Sequence, residues 1–204
     1  MTVGNHSDSI RSALTILVVL ILGGCSNNTV QITYDTSAVA SQPAVVANSI
    51  RILSVSDARK HGPHWLGAIR GGLGNPMKTL NTIVPVRDMV ENAFTAALKT
   101  RGLLTSTGGD FGMQVVISQF DCNQYARREA HVRLHVSLVE FASGQQIYAK
   151  DIRVDSVTGN LVTFDRGMFA AVEDLRKIAN EALQEAVDQA LDDPQLYEIL
   201  MTST

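Results

Sequence analysis

Five small groups of residues in this 204-residue chain are of types that could do chemistry. The first is Gly23-Gly24-Cys25, a thiol behind two small residues at the end of the apolar run ILVVLIL. It could end a membrane span, supply half of a disulfide to Cys122, the other cysteine, or mark a cut. The second is His61-Gly62-Pro63-His64, which with His131 or His135 could ligate a metal. Zinc needs three or four converging ligands and a second shell, and neither HExxH nor a paired CxxC occurs. No metal is expected. The third is the glycine-rich run GAIRGGLGNPMKT. A phosphate cradle needs backbone N–H groups at a helix N-terminus with GK[ST] directly after the last glycine. Here Lys78 lies four residues past Gly74, and Pro76 removes a donor. The run reads as a flexible surface loop, 62–75, near which Trp65, Leu66 and Ile69 could touch an apolar ligand or a partner. The fourth is Asp57 and Arg59, an ion pair or loop anchor whose functional reading is contact with a partner or an anionic group. The fifth is Cys122, whose neighbour Asp121 disfavours the thiolate that nucleophilic chemistry needs. Neither GxSxG nor SxxK occurs, so no catalytic residue is assigned and no enzyme is expected.

Composition narrows the class further. The chain is 45% hydrophobic and 18% charged, with a formal charge of −3. One domain with a real core is expected from that length. No basic excess argues for nucleic acid, and Arg127-Arg128 reads as a solvated basic turn. The apolar run from Ala13 to Leu22 is half the roughly 20 residues that a membrane span needs. A positive residue before it (Arg11), a short apolar stretch and a small-residue exit describe a secretory signal peptide over 1–24. Residues 25–48, rich in Ser, Thr, Ala and Asn, read as a flexible tether.

The elements that must position the candidate groups follow from periodicity. Ser49–Asp57 alternates as a strand, and Thr82–Val84 reads as a second, short one. Val86–Arg101 places Val86, Met89, Val90, Ala93, Phe94, Ala97 and Leu98 on one helical stripe, with Gly102 as its stop. Leu103–Thr105 reads as a further short strand. Met113–Asn123, Glu129–Ala142 and Gln145–Val157 read as three antiparallel strands, the last two joined at Ser143-Gly144. His131, Arg133 and His135 share the open face of the middle one, a surface on which an interaction partner could sit. Met168–Leu191 carries a continuous Ala/Leu stripe, closed by Asp192-Asp193-Pro194 and a short C-terminal turn. The order β-β-α-β-β-β-α predicts a single α+β domain over 49–204, an antiparallel sheet with two long helices on one face.

Two resemblances add to this reading. Leu22-Gly23-Gly24-Cys25 resembles the lipobox of bacterial lipoproteins. That implies a thioether between the Cys25 sulfur and diacylglycerol, with cleavage between Gly24 and Cys25, and leaves Cys122 without a disulfide partner. Covalent lipid would then be the only non-protein group, with no cofactor. Ser26, where an Asp would signal inner-membrane retention, implies the outer membrane, facing the periplasm. The order of VSDAR, RDMVENAFTAALKTRG, VVISQF and DDPQLYEIL resembles the YajG family of bacterial lipoproteins. This implies an outer-membrane lipoprotein with an α+β periplasmic domain and no known catalytic residues. The function expected is that of a membrane-anchored, non-catalytic protein whose periplasmic domain binds a protein or lipid as an accessory to an envelope process. The alternative is an auxiliary lipoprotein of a transport system that handles lipid or lipopolysaccharide in an apolar groove between helices and sheet.

Overall fold

The computed structural model describes residues 28–39, 50–71, 73–158 and 168–202. Its strands are β1 (Asn28–Val30), β2 (Ile50–Asp57), β3 (Trp65–Arg70), β4 (Pro76–Thr82), β5 (Phe111–Gln124), β6 (Arg128–Glu140) and β7 (Gln146–Thr158). The helices are α1 (Val86–Thr100), α2 (Met168–Leu191) and α3 (Pro194–Thr202). The expected signal peptide, Leu22 to Cys25 and Ser26 lie outside the described residues.

The α+β class, the single domain and both long helices are as the sequence predicts. All seven expected α1 residues are buried, because their three- and four-residue spacing gathers them on one side of the helix. Gly102 stops α1 with φ +68°, and the Leu103 amide donates back to the Leu98 carbonyl at 2.9 Å, the bond that closes a left-handed helix end. On α2, Leu175, Ile178, Ala179, Ala182, Leu183, Ala186, Val187 and Ala190 are buried. Across from them Val132, Leu134, Val136 and Leu138 of β6 form the core face of the sheet. Alanine along α2 lets the helix sit close to those branched side chains. The C-terminal turn is longer than predicted and forms α3, which buries Leu196 and Leu200.

The sheet corrects the sequence reading in three ways. It is mixed rather than antiparallel: β5–β6–β7 is an antiparallel meander, but β2 and β3 both run parallel to β5. The expected glycine-rich loop is largely a hairpin, β3 against β4, and β4 ends at Thr82, so Ile83 and Val84 follow a strand rather than form one. Third, part of the stretch read as tether belongs to the domain. Asn28–Val30 pairs in parallel with Leu80–Thr82 at the sheet edge.

The long β5 organises this arrangement. Its first half, Phe111–Ile117, pairs with β2, and its second, Cys122–Gln124, pairs with β3 on the same edge. A bulge between Ile117 and Gln119 separates the halves and bends the strand. The order across the sheet is β1-β4-β3-β5-β6-β7, with β2 beside β5.

Candidate functional site

The three residues marked as contacts, Asp57, Arg59 and Trp65, converge where β2 leaves β5 and β3 joins it. Arg59 Nε donates to Asp57 Oδ1 at 2.9 Å and Nη2 to Asp57 Oδ2 at 2.8 Å. Nη1 donates to the Trp65 carbonyl at 2.8 Å and the Phe120 carbonyl at 3.0 Å. The Arg59 side chain is 2% exposed, so this is a buried staple between strands and not a surface ion pair. Burial raises the Asp57 pKa, but the hydrogen bonds from Arg59 outweigh it and hold the carboxyl below its usual range. A planar guanidinium is the side chain that can meet a carboxylate and two carbonyls at once. Trp65 contributes its backbone here, while its ring stacks on His61 at 3.8 Å between centroids.

The remaining candidate groups are also placed. His64 Nδ1 is 3.0 Å from the Thr82 carbonyl. Cys122 is fully buried; burial, with the Asp121 charge behind it, pushes its thiol up to about 12 and keeps it a small core residue. His131, Arg133 and His135 do share the open sheet face, but with cross-strand acids. His131 Nδ1 lies 2.6 Å from Asp155 and His135 Nδ1 lies 2.7 Å from Asp151. Arg133 donates to the same Asp155 at 2.6 Å. The hydrogen bonds from Arg133 and then His131 hold Asp155 well below the carboxylate range. The alternation Asp151-x-Arg153-x-Asp155, opposite His131-x-Arg133-x-His135, is the sequence signal that would have found this charge ladder. Among the described residues no three His, Cys, Asp or Glu side chains converge to hold a metal ion.

A groove of about 750 Å³ lies elsewhere, between the segment after β1 and the outer ridge of α2. The segment is sewn to the helix: the Thr33 amide donates to Asn180 Oδ1 at 3.1 Å and the Asp35 amide to Gln184 Oε1 at 2.9 Å. Behind the groove is Arg101, a buried cation at the end of α1. Its Nε and Nη2 donate to Asp192 at 2.8 and 3.0 Å, and Nη2 also to Asp188 at 2.9 Å. Nη1 donates to the Tyr34 hydroxyl at 3.0 Å, and that hydroxyl donates to Asp188. Burial is the main reason the Tyr34 hydroxyl is raised to about 12, which keeps it a donor. One cation thus ties the N-terminal segment to both long helices. Asp188 and Asp192, at helical i,i+4 spacing, were legible in the sequence only as the end of a helix.

The groove wall carries Asp35, Glu181, Glu185, Asp188 and Asp192 against Arg176 and Lys177. Its accessible surface is mostly apolar and bears carboxylates, of which Asp188 and Asp192 are paired with Arg101 and Glu181 lies 3.9 Å from Lys177. Among the described residues its lining holds neither cysteine, serine nor histidine. Such a wall can take a chain segment that offers apolar contact together with cationic or amide groups.

No family model matches the chain, and no curated protein sequence matches it. Solved structures do. The protein XCC0632 of Xanthomonas campestris, of family DUF330, superposes with a TM-score of 0.56 at 13% identity, covering 87% of this chain and all of that one. That likeness shows a shared fold. A candidate lipoprotein of Caulobacter crescentus gives a TM-score of 0.41 at 16% identity, over 57% of this chain and 80% of its own. The lipoprotein GNA1162 of Neisseria meningitidis gives 0.25 at 10%, over 66% and 96%. No helix among the described residues is long and apolar enough to cross a membrane.

Proposed function

We propose that this chain is a membrane-anchored, non-catalytic bacterial lipoprotein, acylated at Cys25, whose periplasmic domain binds an envelope protein through the acidic groove on α2. The observation that carries this reading is the groove itself: about 750 Å³, lined by five acids, and walled on one side by Thr33 and Asp35 of the N-terminal segment. A lipid there confines the domain to a surface and raises its effective concentration near envelope partners. Ser26 favours the outer membrane, inner face, and the YajG resemblance carries the same assignment. The lipid-handling alternative places its ligand between helices and sheet. There α2 and β6 are buried against one another, and the pocket of about 380 Å³ between α1 and the segment Val30–Tyr34 is about half the volume of the groove.

Glu185 and Glu181 face the groove without holding the core together, so they test it. A photo-crosslinking residue at Glu185 should give one discrete adduct in living cells. Glu181→Lys should remove that adduct and leave protein abundance unchanged. An adduct obtained from His135, on the open sheet face, with none from Glu185 would overturn the groove assignment in favour of that face.

A further inference from the structure

We infer that one end of the sheet, formed by the β3–β4 hairpin tip and the β5–β6 turn, rests on the lipid bilayer. This rests on acylation of Cys25 as proposed above, and adds which surface meets the lipid.

The register supplies the direction. β1 runs parallel to β4, with Asn28 opposite Leu80, so the chain enters β1 from the Met77 side, where the hairpin turns. Asn28 is three residues from Cys25, and three residues span at most about 11 Å whatever their path. The acyl group is therefore held close to this end of the sheet, with no long spacer to let the domain turn freely.

The surface at that end suits a membrane interface. Leu73, at the hairpin tip, is 97% exposed, and Met77 beside it is 56% exposed. The parallel pairing of Ile69 with Gln124 brings the neighbouring turn alongside, and Tyr125 there is 52% exposed. Arg70 shares a concavity with Tyr125 and Arg127. Apolar tips enter the acyl boundary, a tyrosine settles at headgroup depth, and long cationic side chains reach phosphate. Among the described residues, the charged groups at this end are Arg70, Lys78, Arg127, Arg128 and Arg176 against Glu129, Glu173 and Asp174. Arg127 pairs with Glu129 at 3.4 Å and Arg128 with Asp174 at 2.8 Å, and the sum stays cationic. The acids of the groove lie toward the opposite end: Lys150 of β7 reaches the Gln189 carbonyl at 3.3 Å, as Arg128 reaches Asp174 near the bilayer. Lipid is thus at the basic, apolar end and the acidic wall points into the periplasm.

The test uses the full acylated chain in vesicles of phosphatidylethanolamine and phosphatidylglycerol. An environment-sensitive fluorophore is placed at Leu73→Cys or, as control, at Ser143→Cys on the β6–β7 turn; the buried Cys122 does not compete for label. Nitroxide-labelled lipid should quench the probe at 73 severalfold more than the probe at 143, with a blue-shifted emission only at 73. The mass of the purified chain reports the lipid independently. An acylated, vesicle-bound chain whose two probes are quenched alike overturns the inference and leaves the anchor intact; a chain without lipid overturns both.

Discussion

Gly67→Ala should abolish the native fold of the β3–β4 hairpin, and with it most of the stability of the domain. A Cβ at position 67 would sit 1.6 Å from the Cys122 carbonyl oxygen and 2.7 Å from its carbon. Both are backbone atoms of β5, the strand to which β3 is paired at that residue. Relief requires the pairing to open, which withdraws Leu66 and Ile69 from the core and loosens β4 and β1 behind them. The cost should exceed about 4 kcal/mol, the range reached only by such mechanisms, out of a total of about 5–15 kcal/mol for a domain. Gly62→Ala is the control, since a Cβ there meets nothing within 4 Å. Urea midpoints measure both: the first variant should unfold at far lower urea or fail to fold, while the second should match the parent. A Gly67→Ala protein with the parent's midpoint would mean that β3 does not approach β5 this closely.

Arg59→Leu should cost about 3–5 kcal/mol, the range for breaking a buried pair by removing one partner. The leucine keeps the apolar stem but abandons the Asp57 carboxylate and the carbonyls of Trp65 and Phe120. Arg59→Lys should recover little, because one ammonium cannot reach all three acceptors in the plane that a guanidinium offers. The same pair gives a pH signature. The folded Asp57 pKa lies below its ordinary 3.8, so its contribution is complete above that value and is lost as pH falls through the folded pKa. The parent should lose stability on acidification, and the Arg59→Leu protein should lose less. Equal acid slopes together with a small change in midpoint would show that the staple is not closed in solution.

These two residues mark where the sequence could and could not be read. The long elements were legible because their patterns repeat: seven apolar positions along α1, the Ala/Leu stripe of α2, and the strict alternation of β6. The hairpin was not. Gly67, Gly71, Gly72 and Gly74 lie within eight residues, and glycine at that density reads as backbone freedom. Gly74, at φ +81°, fits that reading. Gly67 is there because only a hydrogen atom fits against β5, a constraint set by a strand more than fifty residues away. β1 was hidden for a different reason: three residues, Asn-Thr-Val, are too short for a period and too polar to stand out from a tether. The Asp57–Arg59 pair was visible as a pair, but its burial depends on which strands share the edge of β5, and strand pairing leaves no local trace. The same holds for Arg101, whose acids come from a helix about ninety residues on.

Cys25 is the residue through which the domain is proposed to reach the membrane. Metabolic labelling with radioactive fatty acid in the parent and in Cys25→Ser tests it most directly. The parent should carry label and migrate as the cleaved form. Cys25→Ser should carry none and accumulate as full-length precursor. Label retained by Cys25→Ser, or normal cleavage of it, would contradict the account.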